Sequence, residues 1–166
     1  MADRTEVGDA VVIERTLQAP VEVIWRMWTD PHDFAAWYGP AGATIPVAVM
    51  DVKVGGARRI GMGIQTPNGP MRIWFAGEYT EVVEFQRLVY TEAMTDENGR
   101  VLAPAQLGMP DDHPTTTEVT VELEGLDGRT RMLLTHRGIP TESAGATGWH
   151  QALGKLEALI AEPNRR

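Results

Sequence analysis

Three polar side chains fall in step with apolar neighbours wherever the chain alternates like a strand. Arg58 shares its parity with Ile60 and Met62, Glu92 with Leu88, Tyr90 and Met94, and His136 with Met132 and Leu134. A charge on an inward face is costly unless paired, so Arg58 and Glu92 either form a buried ionic pair or lie at strand ends and reach water. Facing inward, Arg58 would hold a carboxylate or phenolate, and Glu92 would accept a hydrogen bond or act as a general base. Tyr90 and His136 are the other candidates for moving a proton, since an imidazole titrates near neutrality. The competing reading of His136 is a satisfied core or rim histidine.

Other chemistries find little support. The chain contains no cysteine, which excludes thiolate catalysis, disulfides and cysteine-held metals. Asp111, Asp112 and His113 resemble metal ligands by type, but they are adjacent in a proline-rich stretch that does not converge side chains on one ion. No metal and no cofactor are expected. Gly55-Gly56 and Gly61-x-Gly63 follow strands without opening a helix, so they read as turn and bulge glycines rather than a dinucleotide motif. Ser143 is the single serine and lies outside any nucleophile elbow.

Those candidates need a sheet to carry them and a helix to cover them. Val11 to Leu17 reads as a strand, and Pro20 suits the first turn of the helix that follows. Val21, Ile24, Trp25 and Trp28 share one helical face. Asp30-Pro31 ends that helix and caps a second short one, which stops at Trp37-Tyr38-Gly39-Pro40. Strands are then expected over Thr44–Val52, Ala57–Gly63, Met71–Thr80 and Arg87–Thr95. After a long connection come Thr116–Glu124 and Arg129–Arg137, for about seven strands in all. Thr141 and Glu142 should start a final helix reaching Ala161, with Trp149, Leu153, Leu156 and Ile160 as its apolar stripe. Gly145, Gly148 and Gly154 within it suggest close backbone approach or a kink.

The chain has 166 residues, 43% hydrophobic and 23% charged, which suits one domain with a real core. Residues 1–9 read as a disordered polar head, 10–162 as the domain and 163–166 as a tail. The formal net charge of −8 argues against nucleic acid or anionic membrane as a partner. A polar N-terminus and the lack of a long apolar run point to the cytoplasm. A homodimer is compatible with the sequence, which does not set the number of subunits.

The order strand, two short helices, six strands and a long C-terminal helix resembles the helix-grip arrangement of the START-like superfamily. Trp28-Thr29-Asp30-Pro31 with Trp37, Asp51-Val52-Lys53-Val54-Gly55-Gly56, Gly77-Glu78-Tyr79, Arg131 to His136 and Gly148-Trp149 are similar to the family of the activator of the Hsp90 ATPase. The segment from Gly108 to Pro114 resembles a single-domain bacterial branch of it. The resemblance implies an α+β fold in which a curved antiparallel sheet wraps the C-terminal helix around an internal cavity. Trp28, Trp37, Phe75 and Tyr79, with Arg58, Ile60, Met62, Leu88, Tyr90, Glu92, Met94, Met132, Leu134, His136, Trp149 and Leu153, are the expected lining. The leading expectation is a binding protein for a small hydrophobic or amphipathic molecule. The alternatives are a cyclase- or hydratase-like enzyme with a pocket acid or base, and a protein-interaction or stress-related co-chaperone-like module using an exposed sheet edge or the Trp37–Pro40 loop. Co-chaperone activity is not carried over, because the eukaryotic co-chaperones have an additional N-terminal domain.

Overall fold

The computed structural model describes residues 10–108, 113–141 and 143–162. The expected head, the tail, Asp111, Asp112 and Glu142 lie outside the described residues. Seven strands form one curved antiparallel sheet: β1 (Ala10–Leu17), β2 (Thr44–Met50), β3 (Ala57–Thr66), β4 (Gly69–Val83), β5 (Arg87–Thr95), β6 (Thr117–Gly125) and β7 (Thr130–Arg137). Their order is β1-β7-β6-β5-β4-β3-β2, so every neighbour except the β1/β7 pair is joined by a hairpin or a local connection. Two short helices, α1 (Val21–Thr29) and α2 (Pro31–Ala35), carry the chain from β1 to β2. The long helix α3 (Ala144–Ile160) follows β7.

Local chemistry accounts for most boundaries. Asp30 caps α2 by accepting from the Asp33 amide at 3.0 Å, with Pro31 at the first helical position. Pro20 stands at the N-cap of α1, where its missing N–H costs nothing. On α1, Val23 and Met27 are buried along with Ile24, Trp25 and Trp28, a wider arc than the four-residue face expected from spacing. The reason is that α1 is covered on more than one side, which a single amphipathic stripe does not register.

The final helix begins later than its sequence suggested. Ser143, not Thr141, is the N-cap, accepting from the Ala146 amide at 3.3 Å while donating to the Pro140 carbonyl. Its 17 residues span about 25 Å. Gly145 does meet a neighbour closely, since a Cβ there would stand 3.1 Å from Ile139. Gly154 faces open space and has no such reason.

The glycines of β3 also differ from expectation. Gly61 and Gly63 lie inside a continuous strand paired to Trp74 and Arg72, not in a turn. A Cβ at Gly61 would come 2.7 Å from the Trp74 ring, so glycine lets the indole lie against the strand.

The core occupies the concave side. Leu17, Ile24, Met27, Ile60, Leu88, Met132, Leu134, Leu153 and Leu156 are sealed within it. Phe34 and Trp37 join them, and the Trp37 indole N–H donates to the Met27 carbonyl at 2.9 Å. Trp37 is therefore a core residue, and the Trp37–Pro40 loop is not the exposed patch expected of an interaction module. It is held against α3: Lys155 donates to the carbonyls of Tyr38 and Pro40, and Gln151 accepts from the Ala41 amide.

Candidate functional site

Four strands, the loops beside them and the first half of α3 border a cleft of about 410 Å³. Its sheet wall is Met62 and Ile64 of β3, Ile73 and Phe75 of β4, Glu92 and Met94 of β5, and His136 of β7. Tyr38, Gly39 and Pro40 close one side, and His113 and Ile139 border another. The helix contributes Gly145, Gly148, Trp149 and Ala152, which share one face at i, i+3, i+4, i+7 spacing. Three of these four are small, and that is why a space persists here. Farther along α3, Leu153, Leu156 and Ile160 fill the interior.

Of the sixteen residues expected to line a cavity, six border this cleft: Met62, Phe75, Glu92, Met94, His136 and Trp149. The other ten do not. Ile60, Tyr79, Leu88, Tyr90, Met132, Leu134 and Leu153 sit in the core beneath it, with Trp28 and Trp37 behind Trp149 and Tyr38. Arg58, 1% exposed, is also beneath rather than on the wall. Its guanidinium lies 3.8 Å from the centre of the Tyr90 ring and 5.2 and 5.7 Å from those of Phe34 and Tyr38. It cannot meet a molecule in the cleft without these rings moving. Strand parity brought both groups inward but could not tell the wall of a cleft from the core below it.

Arg58 and Glu92 form a buried pair, with Nη1 3.8 Å from Oε2. No described residue hydrogen-bonds to Nε, Nη1 or Nη2 within reach. Burial opposes the charge, but Tyr90, Glu92 and the surrounding phenols hold the guanidinium above its ordinary value. With the phenols neutral, its one full countercharge is Glu92, supplemented by the aromatic faces. Gly77 of β4 stands opposite Arg58, and a Cβ there would run into the Thr91 main chain of β5, so glycine lets β4 and β5 pair closely where the two charges meet.

Tyr38 is the residue that spacing missed. Its hydroxyl donates to Glu92 Oε2 at 3.1 Å, across 54 positions of sequence. Burial pushes its phenol well above the ordinary value and the Glu92 carboxylate adds to this, so Tyr38 remains a donor. Burial likewise pushes Tyr90 far up, and its hydroxyl has no hydrogen-bond partner among the described residues and does not border the cleft. Tyr90 is poorly placed to move a proton. His113 at the rim, weighed in the sequence only as a metal-ligand type, was not expected in the lining, because only the tertiary fold returns its loop to the helix.

His136 is committed on both sides. The Trp149 indole N–H donates to Nδ1 at 2.8 Å, which assigns the ring hydrogen of the neutral imidazole to Nε2. That hydrogen meets Thr117 Oγ1 at 2.8 Å, and the Thr117 hydroxyl in turn donates to the Glu92 carbonyl at 3.3 Å. Burial lowers the imidazole pKa, outweighing the opposing pull of Glu92. The chain of hydrogen bonds makes His136 the strut that orients Trp149, the wall residue from α3.

A pH dependence follows from that lowered value. The unfolded chain takes up a proton near pH 6.5 and the folded imidazole only at lower pH. The stabilisation is therefore complete above about pH 6.5 and is lost as pH falls towards the folded value, by at most about 1.4 kcal/mol per pH unit. Thermal melts between pH 7 and 5.5 should show a steeper decline for the wild type than for His136→Gln. Parallel declines would assign the effect elsewhere.

A family model described as Activator of Hsp90 ATPase homolog 1-like protein matches residues 18–161. The chain belongs to this family. Solved structures agree in fold: a protein from Chromobacterium violaceum is 26% identical, with 91% of this chain and 96% of that one covered at a TM-score of 0.71. One from Arthrobacter aurescens is 24% identical, with 95% and 89% covered at 0.74. An AHSA1 protein from Silicibacter pomeroyi is 22% identical, with 92% and 97% covered at 0.69. No curated protein matches the chain. Among the described residues no helix is long and apolar enough to cross a membrane.

Proposed function

We propose that this member of the Activator of Hsp90 ATPase homolog 1-like family binds a small hydrophobic or amphipathic molecule between α3 and the sheet, in the cytoplasm. The observation that carries the reading is the cleft itself. Its volume of about 410 Å³ lies in the range of small-molecule sites, and its lining is apolar except for a few convergent polar groups. The glycine at 148 supports it further, since the nearest atom to a Cβ there would be 3.9 Å away and a longer side chain would enter the cleft.

Native mass spectrometry of the protein purified from its own host tests the reading. A co-purifying small molecule is expected on the wild type and at least tenfold less of it on Gly148→Met, with both proteins folded by circular dichroism. Equal retention by the two would remove the cleft as the binding site.

A second reading, an enzyme using an acid or base, draws on one observation: Glu92 borders the cleft with Oε1 free of hydrogen bonds from any described residue. Proton transfer would then fall to Glu92, because His136 and Tyr90 are otherwise committed or remote.

A further inference from the structure

The deep wall of the cleft offers a hydrogen-bond acceptor and no spare donor beside it. Glu92 is 5% exposed, borders the cleft, and receives a single hydrogen bond, from Tyr38 to Oε2. Its other oxygen, Oε1, receives none from a described residue; His136 Nε2 stands 3.9 Å away with its hydrogen directed at Thr117. The remaining polar hydrogens of this wall are committed as well, Tyr38 to Oε2 and Trp149 to His136 Nδ1. Oε1 is thus an acceptor on a wall otherwise made of Met62, Phe75 and Met94, and a donor on a bound molecule could take the place of water there.

Charge narrows the class of that donor. Arg58 already balances Glu92 from 3.8 Å, so a cationic group would bring an excess charge into an apolar space. An anionic group would face the carboxylate, while the guanidinium is screened behind the rings of Tyr90, Tyr38 and Phe34. A neutral hydroxyl meets both constraints. Resting on the ligand-binding reading above, we propose that the cleft selects neutral apolar alcohols or phenols, whose O–H donates to Glu92 Oε1.

Calorimetric titration with four matched probes tests this: naphthol, methylnaphthalene, naphthoate and naphthylmethylammonium. Naphthol is expected to bind the wild type about tenfold or more tightly than methylnaphthalene, and more tightly than either ion. Glu92→Gln should reduce that preference. The double variant Arg58→Met/Glu92→Met guards against misfolding by removing both charges, and should bind naphthol and methylnaphthalene alike. Equal binding of these two by the wild type, tighter binding of either ion, or a naphthol preference surviving in the double variant overturns the proposal and leaves the cleft a ligand site. Absence of binding by all four probes overturns this proposal alone if the co-purifying molecule is lost in Gly148→Met, and overturns both readings if the wild type and Gly148→Met retain it equally.

Discussion

Replacing Glu92 by methionine is expected to destabilise the fold by about 3–5 kcal/mol, measured by urea unfolding. The cost arises less from the lost attraction than from what remains. Arg58 is 1% exposed and is surrounded by ring faces and the neutral Tyr79 phenol, so without Glu92 a full charge would stay buried without a counter-ion. Arg58→Met should cost less, because the carboxylate left behind borders the cleft and keeps the Tyr38 hydroxyl. The double variant removes both charges and should recover most of the loss, since buried pairs replaced by apolar groups of similar volume are often neutral or stabilising. Additive losses in the cycle would show that the two side chains are not coupled.

Gly77→Ala should be comparably severe, at about 3 kcal/mol or more. A Cβ at this position would fall 1.9 Å from the Thr91 carbonyl oxygen and 2.9 Å from its hydroxyl oxygen. The first of these is main chain in the paired strand, which cannot rotate aside as a side chain would, so β4 and β5 must separate locally. The displaced segment is the one over which Arg58 and Glu92 meet. A loss well below 1 kcal/mol would mean that the sheet yields here at little cost, and would weaken the view that Gly77 holds the charges together. Far-ultraviolet circular dichroism with urea melts of the variant reads the outcome.

The two predictions concern one arrangement seen from opposite sides. Close pairing of β4 and β5 at Gly77 underlies the segment where the two charges meet, and their approach makes both tolerable in the core. Oε2 of the same carboxylate meets Arg58 and Tyr38, while Oε1 stands 3.9 Å from His136 Nε2. Stability and the proposed recognition would therefore share Glu92, and the double variant separates them.

Sequence alone determined the elements and their order. Alternation, the Gly55-Gly56 turn and the Asp30-Pro31 cap are local signals, and local chemistry decides where a strand turns or a helix starts. They placed β5 at its observed limits, Arg87 and Thr95, and the other strands within a few residues. Parity alone put Arg58, Glu92 and His136 on the inward face. Tertiary structure decided which inward residues meet a cleft and which meet one another. Period-two alternation assigns a face but no depth, so Met62 and Ile60 look equivalent although only Met62 borders the cleft. Nor can spacing reveal a bond between Tyr38 and Glu92, or a strut from Thr117 through His136 to Trp149, because these depend on how a loop and a helix dock over the sheet. Trp149, expected from the stripe of α3 as a wall, owes its orientation to that docking, and the small residues beside it decide that space remains in front of it.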